Sequence, residues 1–230
     1  MTDSMWLELE WLQNAQTLLQ WVRTLEPKKK VILFVRHSHR LHSDDPHELL
    51  HMQLTPLGHE MAREFGKQLP DRGTLEIFYS KHPRCVETSE EILEGYKSNN
   101  HPAVMQGAIR ELLGPKVYTS IGKELEELGI DGFINKWAEG SFPLSQIETL
   151  EEYGIRLWKN TVGELYSFKR GSFQVHVSHD LVLMSMRKAI LGIEATEKNW
   201  IPFLGGFGII KCDDSYQWFE RNETFEINIE

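Results

Sequence analysis

The sequence predicts an α/β protein, a three-layer α/β/α sandwich built on a mainly parallel sheet. Residues 31–35 are five apolar residues in a row, which is typical of a strand that is buried on both faces of such a sheet. Farther along, strand-like segments alternate with segments of helical period, as they do where helices pack on a sheet. A length of 230 residues fits one domain, residues 1–230.

Local signals place the other elements. Thr55 and Pro56 stand where an N-cap and a first helical residue belong, so they predict a helix that runs to about residue 69. The hydrophobic patterns predict three further strands, two further helices and a final β-hairpin. The strands are expected at residues 75–79, 103–109 and 173–177, the helices at 84–96 and 181–191, and the hairpin at 205–210 and 216–220.

Two segments lie outside this alternation. Apolar residues recur at mostly helical spacing in residues 1–27, which predicts an N-terminal helical extension packed on the domain. A docking helix for a partner or a membrane is the alternative, but the segment lacks the Lys/Arg-rich polar face of an interfacial helix. Residues 111–168 have helical periods interrupted by glycines and a proline, and they predict a helical insert or lid at the edge or top of the sheet.

The composition limits the partners and the compartment. A formal charge of −9 at pH 7 argues against binding to nucleic acid or to an anionic membrane surface. No stretch approaches the ~18 apolar residues of a membrane span, and no signal peptide is visible. Cys85 and Cys212 do not make a disulfide framework, and free thiols favour a reducing cytoplasm. Acidic residues follow Cys85 where a phosphatase cysteine needs an arginine, so we interpret Cys85 as structural.

Three polar clusters, residues 36–40, 80–84 and 178–180, each follow a predicted strand directly. Ligands of open α/β sheets bind at the carboxyl ends of the strands, so the clusters should face one crevice. Together they hold the groups that phosphoryl transfer without a metal requires. Arginines bind phosphate oxygens, a neutral imidazole attacks phosphorus, and an acid protonates the leaving alkoxide. The candidates are Arg36, Arg40, Arg84, His37, His179 and Asp180.

The motifs in these clusters resemble the histidine phosphatase superfamily, the group of phosphoglycerate mutases and histidine acid phosphatases. Five motifs occur in the family's order, each in the expected strand, loop or helix context. They are Arg36-His37-Ser38 for the family's Arg-His-Gly, Arg40 for the second arginine of the acid-phosphatase branch, Leu54-Thr55-Pro56-Leu57-Gly58, the set Ser80, Arg84 and Thr88, and the late pair His179-Asp180.

The resemblance implies a role for each candidate. His37 would form a phosphohistidine, and Asp180 would be the general acid and then the base for water. Glu111 is the rival acid, because residues 109–114 are similar to the stretch that carries the acid in the mutase branch; we favour Asp180. Ser38 replaces the usual glycine and is expected to tighten or reshape the pocket floor. The phosphate oxygens would be bound by Arg36, Arg40, Arg84 and His179.

Other polar residues have two interpretations each. The loop that holds His39, His42, His47 and His51, with Asp44 and Asp45, could bind zinc, but its spacing is unlike that of structural sites and it contains no cysteine. We therefore expect no metal and no cofactor. Arg110 is either a fourth phosphate ligand or part of a surface ion pair. His82 is interpreted as a solvated loop residue, and His176 as a strand residue that faces a layer interface.

The leading hypothesis is a metal-independent hydrolase of phosphomonoesters that acts through His37. Its substrate would be a small phosphorylated metabolite or a phosphopeptide. A phosphoglycerate mutase-like phosphotransferase is one alternative, but it would need more basic residues than residues 111–168 contain. A catalytically silent phosphate- or phosphoprotein-binding protein is the alternative from another class. The sequence names neither the substrate nor the oligomeric state.

Overall fold

The central element is a seven-stranded sheet. The computed structural model describes residues 2–43, 45, 48, 50–164, 173–212 and 214–228, with side chains from residue 5 onward. Over these residues the strands are β1 (Val31–Arg36), β2 (Leu75–Tyr79), β3 (Ala103–Ala108), β4 (Phe173–Ser178), β5 (Gly206–Cys212), β6 (Ser215–Glu220) and β7 (Glu223–Ile227). Their order is β3-β2-β4-β1-β5-β6-β7. Only β5 and β7 run opposite to the other five.

Helices cover both faces of this sheet. None of the described helices is long and apolar enough to span a membrane. They are α1 (Thr2–Glu8), α2 (Gln13–Thr24), α3 (Pro56–Gln68), α4 (Pro83–Lys97), α5 (Gly122–Ala138), α6 (Leu150–Asn160) and α7 (Asp180–Leu191), with short 3-10 helices at Glu10–Leu12, Arg110–Leu113 and Glu197–Asn199.

The predicted α/β sandwich with a mostly parallel sheet is confirmed, and the predicted strands and helices lie within a few residues of their observed bounds. Thr55 caps α3 as expected, since its hydroxyl accepts a hydrogen bond from the Gly58 amide at 3.0 Å. The N-terminal segment forms two helices with a 3-10 turn between them. Strand β7 was not expected. It extends the hairpin of β5 and β6 as a third antiparallel strand.

Two apolar cores lie between the layers. On one face of the sheet, α1 to α4 pack on alternate residues of β1 such as Leu33 and Val35. On the other face, α5, α6 and α7 pack on Ile32 and Phe34. Residues of the segment 111–164 thus contribute directly to the second core, although residues 165–168 of the expected insert lie outside the described residues.

The N-terminal helices are fixed to the sheet. The Trp21 ring stacks on Phe219 with centroids 4.7 Å apart and nearly parallel planes. It occupies the space over Gly208, where a Cβ atom would lie 2.0 Å from the ring. The Arg72 guanidinium donates to the carbonyl of Leu25 at 3.1 Å, just beyond the end of α2. This segment is therefore packed against the sheet and the neighbouring chain.

A buried ion pair holds the chain that leads from α7 to β5. Arg187 and Glu220 are both buried, and the guanidinium donates to the carboxylate at 2.7 Å. Arg187 also donates to the carbonyl of Asn199 at 2.9 Å and to its side-chain oxygen at 2.8 Å. Asn199 begins the segment 199–205, which borders the candidate site. The ion pair therefore helps to hold this segment in place.

The substitution Arg187→Met should lower the free energy of unfolding by about 3–5 kcal/mol, because Glu220 would stay buried without its cation. Urea denaturation measures the loss. The double variant R187M/E220L removes the unpaired carboxylate and should be more stable than R187M alone. A loss below about 1 kcal/mol in R187M, the size typical of a surface pair, would contradict this interpretation.

Candidate active site

Three neighbouring strands bring the polar clusters together. Strands β2, β4 and β1 are adjacent and parallel, so their carboxyl ends meet at one edge of the sheet. Backbone hydrogen bonds continue past the strands into the clusters. The His37 amide donates to the Ser178 carbonyl and the Ser80 amide to the Val177 carbonyl, both at 2.9 Å. The crevice expected from the sequence is therefore present.

The His37 ring is held in one neutral tautomer. Its Nδ1 lies 2.9 Å from the Ser38 carbonyl, which can only accept, so Nδ1 carries the hydrogen and Nε2 keeps a lone pair. The side chain is almost fully buried. Burial holds the pKa of His37 well below its usual value, and the neighbouring His179, Arg36 and Arg84 lower this pKa further. The ring is thus neutral at pH 7.

Ser38 lies at the position of the glycine in the Arg-His-Gly motif that the chain resembles. Its backbone does not adopt a positive φ, so the exchange for serine brings no backbone strain. The buried Ser38 hydroxyl donates to the Gly58 carbonyl at 2.7 Å, and the Ser38 amide donates to the Thr88 hydroxyl at 3.0 Å. These contacts tie the pocket floor to α3 and α4. They also fix the carbonyl that sets the His37 tautomer.

Arg36 is a buried cation with three partners. Its guanidinium donates to the Asp180 carboxylate at 2.6 Å and to the Ile201 carbonyl at 3.0 Å. The same group lies 4.3 Å above the Phe203 ring, within the range of a cation–π contact. Burial lowers the pKa of Arg36, while the charge of Asp180 raises it. Arg36 is therefore charged and oriented beside His37.

His179 is also neutral and has both ring nitrogens engaged. The Arg84 guanidinium donates to Nδ1 at 3.1 Å, so Nε2 carries the hydrogen and donates to the Ser80 hydroxyl at 2.8 Å. Burial, followed by the charge of Arg84, holds the pKa of His179 well below its usual value. Its ring centroid lies 5.6 Å from that of His37. The two imidazoles therefore share one pocket.

Cys85 lies under His179, with Sγ 3.6 Å from Nε2. Burial raises the pKa of this thiol to about 12, so it stays protonated at neutral pH. A buried, protonated thiol is not a nucleophile. This agrees with the interpretation of Cys85 as a structural residue.

His82 is not the solvated loop residue that we expected. It is half-buried, and its ring packs edge-on against His179 with centroids 5.1 Å apart. Its Nδ1 donates to the Leu50 carbonyl at 3.0 Å, and Arg84 donates to the same carbonyl at 3.3 Å. The loop around Leu50 is thereby attached to the site. No local pattern indicated this contact, because Leu50 and His82 belong to different connections of the sheet.

Arg40 lies at the rim of the pocket. Its backbone pairs with Leu54, and its guanidinium donates to the Leu41 carbonyl at 2.8 Å. The charge of Arg40 lowers the pKa of both Arg36 and Arg84, so it lies within electrostatic reach of both. The structure thus gathers the three arginines that the sequence proposed.

Glu111, the rival acid, is engaged elsewhere. Its carboxylate accepts a hydrogen bond from Arg156 of α6 at 2.7 Å, and Arg156 also pairs with Glu148. The neighbouring Arg110 donates to the carbonyls of Gly114 and Pro115, at 2.7 and 3.2 Å. In the described structure Arg110 therefore binds its own turn, and its role as a fourth phosphate ligand stays a prediction.

The remaining histidines have local partners. His39 contacts the Thr55 hydroxyl at 2.9 Å. His176 is buried between the rings of Phe34 and Phe78, which agrees with the predicted layer interface. Within the described ranges, no group of three or more His, Cys, Asp or Glu side chains is arranged to hold a metal ion. Asp44 and His47 of the histidine-rich loop lie outside those ranges.

Phe203 is a site residue that the sequence did not reveal. Its ring lies against Arg36 and 5.6 Å from His37, between centroids. The next residue, Leu204, adopts a φ of 55°, a conformation that leucine rarely takes. Its buried side chain and its hydrogen bond to the Arg36 carbonyl at 3.1 Å hold it there. Such positions cluster at functional sites, but only a structure shows the φ angle.

Comparison with known proteins agrees with this geometry. The family model described as histidine phosphatase superfamily (branch 1) matches residues 32–221. The chain belongs to the histidine phosphatase superfamily. The superfamily resemblance drawn from the motifs is thereby confirmed. The match leaves the N-terminal helices α1 and α2 outside the shared region.

Solved structures share the histidine phosphatase fold at low identity. A mycobacterial glucosyl-3-phosphoglycerate phosphatase in complex with VO3 has a TM-score of 0.55 and 15% identity, covering 83% of this chain and 97% of that chain. Bacillus stearothermophilus YhfR has a TM-score of 0.55 and 16% identity, with coverages of 84% and 97%. A mutant phosphoserine phosphatase from Entamoeba histolytica, in complex with phosphoserine, has a TM-score of 0.50 and 16% identity, covering 86% of this chain and 94% of that chain. No curated protein sequence gives a significant match.

The lowered pKa of His37 predicts that its ring stays neutral as the pH falls below the usual histidine value of about 6.5. A lowered pKa means that protonation of the ring begins only at a more acidic pH. Imidazole ¹⁵N NMR between pH 8 and pH 5 should show the neutral Nδ1–H tautomer of His37 throughout. The signals are identified by their absence in His37→Ala. A midpoint at or above pH 6.5 would contradict the described electrostatics.

Proposed function

We propose that this protein hydrolyses phosphomonoesters through a phosphohistidine formed on His37. The observation that carries the proposal is the state of the His37 ring, which is buried and neutral with Nε2 unprotonated. A neutral imidazole nitrogen is a nucleophile toward phosphorus, whereas imidazolium is not. Arg36 and Arg84 flank it and supply the positive charge that a transferring phosphoryl group requires.

The phosphate oxygens would be bound by Arg36, Arg40, Arg84 and His179. In the free site Arg36 pairs with Asp180, and Arg84 donates to His179 and to a loop carbonyl. An entering phosphate dianion offers both guanidinium groups a charged partner with several acceptor oxygens. The existing contacts would therefore be exchanged for contacts to phosphate.

His179 would bind phosphate once Arg84 has moved from His179 Nδ1 onto the phosphate. The Ser80 hydroxyl can donate as well as accept. It would donate to His179 Nε2, 2.8 Å away, while the ring hydrogen moves to Nδ1. His179 Nδ1–H would then be the donor to a phosphate oxygen, without any net charge on the buried ring.

The reaction would take two steps that share one carboxyl group. His37 Nε2 forms a bond to phosphorus as the bond from phosphorus to the alcohol oxygen breaks, and Asp180 gives its proton to the departing alkoxide. Asp180 then takes a proton from water, whose oxygen attacks phosphorus and breaks the N–P bond. Inorganic phosphate leaves and the neutral His37 is restored. Asp180 would take up the proton for the first step from solvent, once phosphate has replaced it at Arg36.

Two carboxyl groups are candidates for this acid, and contacts favour Asp180. It lies at the first position of α7 and touches Arg36, the sequence neighbour of the nucleophile, at 2.6 Å. Glu111 is held by Arg156 instead. If Glu111 is the acid, the chain works as the mutase branch does.

The proposed reaction needs no metal ion, because the guanidinium groups neutralise the phosphoryl charge. We propose that the protein is one domain, residues 1–230, with a helical extension in residues 1–27 and a helical insert in residues 111–168. We also place it in the cytoplasm, where the free thiols of Cys85 and Cys212 would persist. Its substrates would be small phosphorylated metabolites or phosphopeptides.

Replacing His37 by alanine should reduce turnover of p-nitrophenyl phosphate by at least about a thousandfold, because the attacking atom is lost. The acid-labile, protein-bound phosphate that rapid base quenching traps in the wild type should disappear as well. Assays contain excess EDTA, and the wild type should remain active in it.

His59→Ala is the matched control, since His59 pairs with Glu91 on helices α3 and α4 and lies outside the proposed machinery. It should keep both turnover and trapped phosphate. Near-normal activity of H37A would exclude the phosphohistidine. Phosphate binding without any turnover in the wild type would instead favour the silent binding protein.

The leaving group distinguishes the two acids. An alkyl alkoxide must be protonated as it leaves, whereas p-nitrophenolate need not be, so removing the true acid harms alkyl phosphate hydrolysis more. Asp180→Asn should lower kcat/KM for an alkyl phosphate about ten- to a hundredfold more than for p-nitrophenyl phosphate. Glu111→Gln should affect both substrates equally or hardly at all. The reverse pattern would transfer the role to Glu111 and leave the phosphohistidine step intact.

A further inference from the structure

An aromatic chain leads from the N-terminal extension to the nucleophile. Trp11 lies in the 3-10 turn between α1 and α2, and its ring centroid is 6.0 Å from that of Phe203 in an edge-on arrangement. Phe203 in turn lies 5.6 Å from His37, between centroids. His39 joins the same group, 5.3 Å from Phe203 and 6.1 Å from Trp11. We call these three side chains, Trp11, His39 and Phe203, the aromatic wall.

The wall is rigid at its N-terminal end. Leu12 and Ala15, which flank the turn on the side of the sheet, are completely buried. The Asn14 side-chain oxygen accepts a hydrogen bond from the Gly206 amide at 2.6 Å, at the start of β5. Together with Trp21 stacked farther along α2, these contacts fix Trp11 in position. A fixed ring can select a ligand without the cost of being ordered on binding.

The wall is partly exposed, and two exposed leucines contact arginines of the candidate site. Trp11 and Phe203 are both half-buried. Leu41 and Leu50 are each 47% exposed, although their carbonyls contact the guanidinium groups of Arg40 and Arg84. Rings and aliphatic side chains therefore accompany the arginines that would bind the phosphate. The phosphate of a substrate would meet these arginines, and its organic part would meet the rings and aliphatic side chains.

We propose that the N-terminal extension is part of the substrate site, and that Trp11 selects phosphomonoesters whose alcohol carries an aromatic or apolar group. Rings that stack or meet edge-on gain affinity beyond that from the burial of their surface. A polyhydroxylated alcohol gains nothing from such a wall. This inference rests on the proposed phosphatase function, and it goes further by naming the substrate class.

Trp11 is the residue to change, because it contacts neither Arg36 nor His37 in the described structure. Phe203 lies under Arg36, so a Phe203 variant would disturb the phosphate site as well. Two primary alkyl esters, 2-phenylethyl phosphate and glycerol 1-phosphate, have similar leaving groups and differ mainly in the apolar ring. Their comparison in one variant therefore isolates recognition of the alcohol.

The wild type should hydrolyse 2-phenylethyl phosphate with the higher kcat/KM. Trp11→Ala should lower kcat/KM for this ester about ten- to thirtyfold, mainly through KM, and change that for glycerol 1-phosphate by less than about twofold. Trp11→Phe should restore most of the loss. Leu7→Ala, which removes a 72% exposed side chain from the same extension, should leave both esters unaffected. Thermal melting confirms that each variant is folded.

Calorimetric binding to His37→Ala protein separates this inference from the proposed function. There, Trp11→Ala should weaken 2-phenylethyl phosphate about tenfold and glycerol 1-phosphate hardly at all, whether or not the wild type turns them over. Equal effects on both esters, no effect on either, or a wild-type preference for glycerol 1-phosphate would overturn the selective role of Trp11. Hydrolysis of neither ester, together with selective binding, would instead overturn the phosphatase and leave the aromatic wall as a ligand site.

Discussion

Burying guanidinium groups beside a histidine that must stay neutral is the constraint on which the site depends. Arg36 and Arg84 lose hydration at the end of the sheet, and each is compensated by the protein: one by Asp180 and a carbonyl, the other by His179 and a carbonyl. Burial, with the nearby positive charge adding to it, holds the pKa of His37 well below its usual value and keeps the ring neutral. Under the proposed function, a phosphate dianion would replace these partners in the free site.

The topology makes this arrangement possible. Parallel pairing of β1, β2 and β4 aligns three carboxyl ends, so that residues more than a hundred positions apart in sequence contact one another. The backbones of α3 and β5 also approach the chain around His37 closely. A Cβ on Gly58 would lie 1.9 Å from the His39 carbonyl oxygen, and one on Gly206 would lie 1.8 Å from the Phe34 carbonyl oxygen. Glycine at these two positions lets α3 and β5 lie close to the loop that carries His37.

The sequence was sufficient for the elements and the motif residues, and insufficient for contacts across the chain. A continuous apolar run identified β1, and the polar residues directly after the predicted strands had to lie at the sheet's edge. Strand β7 escaped because it has only five residues, of which two, Phe225 and Ile227, are apolar, and so short a pattern did not predict a strand. Phe203 and Trp11 could not be found, since 192 positions separate them and no local pattern marks either as a site residue. His82 was misjudged for the same reason.

A crystal structure with bound vanadate tests the central claim most directly, because vanadate adopts the geometry of a phosphoryl group in transfer. The account predicts vanadium bonded to His37 Nε2, with Arg36 moved from the Asp180 carboxylate onto the vanadate oxygens and Arg84 moved from His179 Nδ1. Vanadate bound away from Nε2, or bound while the pair of Arg36 and Asp180 stays intact, would contradict it.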